Sequence, residues 1–215
     1  MSTENRAAEP AGLTRKGQAT RNRIVAAAAE LIFERGVAGT STEDVRAKAG
    51  VSSSQLYHYF RDKRDLVIAV IEHQTENILN AQEPLFAQMD SLAGLRAWRD
   101  ALVEMQRQRH CQGGCPIGSL GSELAESDVQ ARADVAAGFE RWSSAIGKGL
   151  AAMHARGELA AEVDPDRLAL ATLTALQGGL LLTQIRRDTV ALEAALDTML
   201  DHIASLTRPP TRALP

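Results

Sequence analysis

Between Pro10 and Pro84 the chain contains no proline, and its apolar residues recur three and four positions apart instead of alternating. Proline removes a backbone donor and breaks a helix interior, so long helices are free to form here. The spacing places the apolar side chains on one face of a helix, and no segment carries the period-two pattern of a half-buried strand. The expectation is an all-α protein with a small front unit of three helices and a larger helical body. At 215 residues, one large or two small domains fit a usual size of about 100–200 residues each.

Helix 1 is expected to start after Thr20 as N-cap, to carry Ile24, Ala28, Leu31 and Ile32 on one face, and to stop at Gly36. After the turn Val37-Ala38-Gly39, either Ser41 with Asp44 or Thr40 with Glu43 has the spacing of a capping box. Val45 and Ala49 of that second helix face inward, Gly50 ends it, Val51-Ser52 makes a corner, and 53–60 forms a third helix. A long helix is expected from 63 to 80 or beyond, then others over roughly 91–109, 117–126, 128–156, 165–187 and 189–206. Asp164 as N-cap with Pro165 at the first helical position is a start signal, because that orphan N–H has no partner to lose.

Charge is unevenly placed. The net charge is −3, yet residues 15–64 hold 10 basic against 5 acidic side chains and residues 66–215 hold 13 against 19. A chain that meets a polyanion with one end distributes charge in this way. Two cysteines cannot make a disulfide framework, and the first residues lack the apolar stretch of a secretory signal, so a cytoplasmic protein is expected. The run 168–185 has 18 uncharged residues, a length at which a bilayer span must be considered. Its Thr172, Thr174, Gln177, Gly178, Gly179, Thr183 and Gln184 make a buried or subunit-contacting helix the better reading, and no membrane partner is expected.

The segment 40–60 has helix, glycine turn and helix at the spacing of a helix-turn-helix. At 100° per residue Leu56, Tyr59 and Phe60 share the inward face of the third helix. Ser54, Tyr57, His58 and Arg61 lie outward, with Ser53 and Gln55 on the flanks. Small serines let the helix end approach a groove, its free N–H groups and positive dipole end suit phosphate, and Gln55 has the amide that pairs with an adenine edge. Tyr57 and Lys63 have the reach for phosphates.

The Gly50-Val51 turn, the Leu56-Tyr57-x-x-Phe60 helix and Lys63 soon after resemble the DNA-binding domain of TetR-family transcriptional regulators, over residues 18–68. The resemblance implies that Thr42 holds a phosphate at the start of helix 2. It implies further that Ser53, Ser54 and Gln55 face base edges and that Tyr57, His58 and Lys63 clamp the backbone. Arg15, Lys16 and Arg21 are candidates for added phosphate or minor-groove contacts. Expected domains are a disordered leader at 1–14, the helix-turn-helix domain at 15–64, an effector-binding and dimerisation domain at 65–207, and a frayed tail at 208–215.

One such helix is too small for a tight, specific site, which takes two half-sites about 34–36 Å apart; a homodimer is therefore expected. The last two helices offer the surface, with Gln177, Gly178, Leu181, Leu192, Leu196, Met199 and Ile203 as candidate interface residues. As the resemblance implies, the middle helices would enclose a pocket for a small hydrophobic effector, with Trp98, Leu102, Met105, Cys115, Phe139 and Trp142 as candidate walls. Cys115 opens a helix in Gly114-Cys115-Pro116-Ile117-Gly118, similar to a stretch of a TetR subgroup. There a dipole-lowered thiol pKa would make it reactive, or else it is a buried small residue positioning the pocket. Zinc at His110, Cys111 and Cys115 lacks a fourth ligand, so no metal and no cofactor is expected. No P-loop, Gly-x-Ser-x-Gly or His-Glu-x-x-His is present, which argues against an enzyme. The expected function is a homodimeric, sequence-specific DNA-binding regulator, a repressor released from operator DNA by a small molecule or by thiol modification. The alternatives are a helical thiol-dependent enzyme and a protein-binding adaptor.

Overall fold

The structure is a computed structural model and describes residues 13–207. Along them run α1 (Arg15–Arg35), α2 (Thr42–Ala49), α3 (Ser53–Tyr59), α4 (Lys63–Phe86), α5 (Leu92–Gln108), α6 (Pro116–Leu124), α7 (Val129–Ala155), α8 (Pro165–Arg186) and α9 (Val190–Ser205). The described residues contain no strand, and Leu159 and Thr207 meet only as an isolated antiparallel bridge. The fold is all-α, as the apolar spacing requires.

The caps explain most helix starts. Ser41, not Thr40, caps α2: its hydroxyl accepts from Asp44 N at 3.1 Å and the Asp44 carboxylate accepts from Ser41 N at 3.0 Å. Thr40 is buried and turns its hydroxyl back to Gly36 O at 2.9 Å. Gly50 closes α2 in the left-handed region, at φ 62°, a conformation that costs glycine no Cβ clash. Helix α1 departs from expectation at its start. Thr14, not Thr20, is its N-cap, accepting from Gly17 N at 3.1 Å, while Thr20 lies inside the helix and donates to Lys16 O at 3.1 Å. The first turns of α1 are polar and exposed, so no apolar stripe marks them in the sequence. Thr14 thus belongs to the folded body; residues 1–12 of the expected leader and the expected tail, 208–215, lie outside the described residues.

Helix α4 continues to Phe86 with Pro84 in its last turn. The expected boundary between 64 and 65 falls in its first turn, so α4 is common to the front unit and the body. It packs on α1 at one end and on α7 farther along; α7 packs on α8, α8 on α9, and α5 and α6 close the sides against α9 and α7. Buried apolar side chains run without a break from Ile24 in α1 to Ile203 in α9. Each fully buried Leu or Ile contributes about 1.5–3 kcal/mol, so one core holds both parts. Helix α8 is long and apolar enough to cross a bilayer, but Leu168, Leu173, Leu176 and Leu180 on one side of it are buried in this core. Gly179 serves the α8–α9 crossing, since a Cβ there would stand 2.9 Å from Leu192 Cα.

Candidate nucleic-acid interface and effector cavity

Helix α3 is held by few contacts and exposes the rest. Ser52, expected only as a corner residue, is its N-cap: the hydroxyl accepts from Gln55 N at 3.2 Å and Gln55 Oε1 accepts from Ser52 N at 2.9 Å. The Gln55 amide oxygen is therefore engaged in a capping box, which competes with its expected use as half of a paired contact to adenine. Leu56 and Phe60 anchor the helix in the core and Tyr59 is half-buried. Ser53, Ser54, Tyr57 and His58 are exposed, with Tyr57 at 55%. Thr42, the first residue of α2, shares a shallow depression with Arg46, Ser53 and Tyr57. Lys63, the first residue of α4, is half-buried and makes no ion pair with the described residues.

Most cations of the front unit are already used. Arg46 pairs with Glu43 at 3.0 Å, Lys48 with Glu30 at 2.7 Å and Arg61 with Asp65 at 2.6 Å. Arg23 Nε donates to Ala49 O at 2.9 Å, and Arg21 lies over the Phe60 ring, 5.4 Å from its centroid. Arg15 and Lys16 remain exposed in the first turn of α1, inside the helix and not before it. The front unit thus keeps its positive balance, with Arg15, Lys16 and Lys63 in no ion pair among the described residues.

Between α4, α5, α7 and the start of α6 lies a cavity of about 360 Å³. Of the expected wall residues it brings together Leu102, Met105, Cys115 and Trp142. Two are corrected. Trp98 is fully buried behind the wall, where its Nε1 donates to Gln82 Oε1 at 2.8 Å and so fixes a residue that does line the cavity. Phe139 packs against the core and is not part of the lining. Gln74, Asn77, Gln106 and Arg109 also line it, polar helix positions whose spacing in the sequence carries no sign of a pocket. A larger open groove of about 850 Å³ between α4 and α7 is lined by Glu76, Glu83, Asp90 and Glu140 with Arg141 and Lys148, and lies away from all expected sites.

Cys115 caps α6, its sulfur accepting from Gly118 N at 3.4 Å. Of the two readings of Cys115, a dipole-lowered reactive thiol or a buried small residue, its burial fits the second. Burial pushes the thiol up, and the backbone N–H groups of Gly118 and Ile117 and the Gln177 amide only oppose this in part. The helix dipole stabilises a thiolate, but removing the charge from water costs more.

The cavity wall is tied to the front unit at two points. Gly113, at φ 87°, lies so close to Phe33 of α1 that a Cβ would strike the ring. At the far end of α6, the Glu123 carboxylate accepts from Val37 N at 2.8 Å and Ala38 N at 2.7 Å, spanning the α1–α2 corner.

The outer side of α8 is apolar and uncovered in the protomer: Leu170, Leu181, Leu182 and Ile185 are exposed, and a Cβ on Gly178 would meet nothing within 4 Å. Leu192, Leu196 and Ile203 were expected at the same surface but are sealed inside the protomer, at 1% exposure or less, because α9 turns that stripe onto α5 and α8. Gln177 is half-buried and its amide reaches towards Gly118 and Cys115, while Met199 is partly exposed.

Residues 24–70 match the family described as bacterial regulatory proteins of the tetR family, and residues 91–199, just over half the chain, match the tetracyclin repressor-like C-terminal domain. The chain belongs to the TetR family. It is 31% identical over 188 residues to an uncharacterized HTH-type transcriptional regulator of Mycobacterium tuberculosis, covering 82% of this chain and 90% of that one. It is 29% identical to a regulator of the same description from Lactococcus lactis, over 84% and 91% of the two chains. The crystal structure of a TetR transcriptional regulator from Chloroflexus aurantiacus aligns with TM-score 0.75 and 30% identity, over 91% of this chain and 99% of that one. The protein is a TetR-type helix-turn-helix transcriptional regulator and not an enzyme. In a TetR frame α1, α2 and α3 are the DNA-binding unit and the remaining helices the body.

Proposed function

We propose that the protein is a homodimeric repressor that holds operator DNA with two copies of α3 and releases it when a small molecule fills the cavity beside Cys115. The observation that carries this reading is the division of α3: Leu56 and Phe60 fixed in the core, and Ser53, Ser54, Tyr57 and His58 exposed, with Thr42 and Lys63, which has no ion pair among the described residues, at the neighbouring helix starts. Ser53 and Ser54 are small enough for base edges to approach, Tyr57, His58, Thr42 and Lys63 supply donors for phosphates, and Gln55 keeps its amide N–H groups for a base. The uncovered stripe of α8, with Gly178, Leu181 and Leu182, supports pairing, and the partly exposed Met199 of α9 is a further candidate contact.

Coupling follows from what touches the cavity. A ligand against Cys115 and Pro116 bears on the N-terminus of α6, and α6 carries Glu123 to the α1–α2 corner. A ligand therefore stabilises one placement of the front unit over another, which is the differential binding that allostery needs. The buried Cys115 favours its structural role over thiol modification.

Titration of labelled intergenic DNA next to the protein's own gene tests this. The native chain retards one fragment specifically, and Tyr57→Ala weakens that binding while the dimer persists. Equal retention of all fragments, or unchanged affinity in Tyr57→Ala, contradicts it.

A further inference from the structure

The cavity beside Cys115 has a definite chemistry. Its lining includes one charged side chain, Arg109, and no carboxylate. Arg109 is the exposed C-cap of α5 and pairs with none of the described residues. Two other lining residues each bury a polar atom without a partner among the described residues: Gln106 Oε1 and Trp142 Nε1, in residues 1% and 3% exposed. Buried polar groups are nearly always bonded, and the neighbouring Trp98 and Gln82 do satisfy one another. An indole N–H only donates and an amide oxygen only accepts, so a ligand that satisfies both must offer an acceptor and a donor, and a hydroxyl carries the two in one group. The rest of the wall is hydrocarbon from Ile78, Leu85, Leu102, Met105 and Leu180. At about 360 Å³, the space is near the small end of the roughly 300–1,000 Å³ typical of ligand pockets.

We propose that the ligand of this cavity is a small monocarboxylic acid with a hydroxyl on its apolar body. The carboxylate meets the Arg109 guanidinium as a charge-assisted pair, the hydroxyl accepts from Trp142 Nε1 and donates to Gln106 Oε1, and the hydrocarbon fills the Ile78–Leu180 side. A cation in the same place faces Arg109 with no acid to offset the repulsion. The inference rests on the cavity being the effector site, and its test separates the two.

The probes are 3-(4-hydroxyphenyl)propionate, 3-phenylpropionate without the hydroxyl, and 4-(3-aminopropyl)phenol with a cation in place of the acid, titrated calorimetrically into the full-length protein. The hydroxy acid binds about tenfold or more tighter than the amine, the ratio expected of one charge-assisted hydrogen bond, and more tightly than 3-phenylpropionate. Arg109→Gln removes the preference for acid over amine. Trp142→Phe removes the preference for the hydroxyl, and Gln106→Leu serves the same purpose if Trp142→Phe melts early. Equal binding of amine and acid, an acid preference that survives Arg109→Gln, a hydroxyl preference that survives loss of both partners, or no binding of any probe overturns the proposal. Operator release is read in parallel: tight acid binding without release upholds the ligand chemistry and contradicts the effector role instead.

Discussion

Arg64 and Asp128 meet as a bidentate pair, Nε to Oδ2 at 2.5 Å and Nη2 to Oδ1 at 2.9 Å, and fasten the first turn of α4 to the N-terminus of α7. The same carboxylate caps α7, accepting from Gln130 N at 2.9 Å and Ala131 N at 3.0 Å. The Arg64 guanidinium and these N–H groups hold the Asp128 carboxyl well below the usual carboxylate range. A depressed folded pKa contributes stability that is complete above the unfolded value, about 3.9 for Asp, and is lost as pH falls through the folded value. Asp128→Asn keeps a capping oxygen but loses the charge. It melts below the native protein at pH 7, and the gap narrows as pH drops towards 3; Asp128→Ala loses the cap as well and melts lower still. Thermal melts over that pH range check both, and a gap that widens in acid contradicts the assignment.

Glu123 ties α6 to the α1–α2 corner through two backbone N–H groups. In Glu123→Ala the amides of Val37 and Ala38 lose their acceptor. Their hydrogen exchange speeds up by about tenfold or more if each bond has the usual worth of one to a charged group. Exchange at these two sites is the direct readout, and unchanged protection removes α6 as the carrier of the signal.

Leu181 and Leu192 are both apolar and eleven positions apart, yet they answer to different structures. Leu181 is 57% exposed and Leu192 fully buried. Leu181→Glu gives a folded single chain in sedimentation, because a charge in an apolar contact between copies breaks only that contact. Leu192→Ala keeps the oligomeric state and lowers the urea stability of the chain by about 2–5 kcal/mol. The reverse pattern would place the α9 stripe, and not α8, between copies.

The contrast marks where the sequence was legible. A heptad-like stripe such as Leu192, Leu196 and Ile203 states that a face is buried but not against what, since a neighbouring helix and a second copy leave the same pattern. The helix-turn-helix was readable because every part of it is local: the Ser41–Asp44 box, Gly50, the Leu56 and Phe60 anchors. Ser52 was missed as a cap although Gln55 stands three residues on, the spacing of a capping box. The cavity was half readable. Leu102, Met105, Cys115 and Trp142 announce themselves by size or sulfur, but Gln74, Asn77, Gln106 and Arg109 look like ordinary polar helix positions until α4, α5 and α7 are brought together. For Cys115 two readings stayed open in the sequence, because a helix N-terminus is visible there and burial is not.

Burial of Cys115 sets a further expectation. With its pKa raised and the residue 7% exposed, it reacts with an aromatic disulfide reagent far more slowly in the native protein than in urea. Cys115→Ser, which keeps a capping oxygen, still binds operator DNA. Rapid labelling of the native thiol, traced by mass spectrometry of the 111–115 peptide, would return thiol modification to consideration.

The most direct test of the account is a salt titration of operator binding with the stoichiometry measured in the same samples. Two chains per duplex are predicted, with log Kobs falling linearly in log salt. In Lys63→Ala the slope is predicted to flatten by about 2, one phosphate from each copy. One chain per duplex, or equal affinity for a scrambled fragment at every salt concentration, would contradict the claim that paired α3 helices read the DNA.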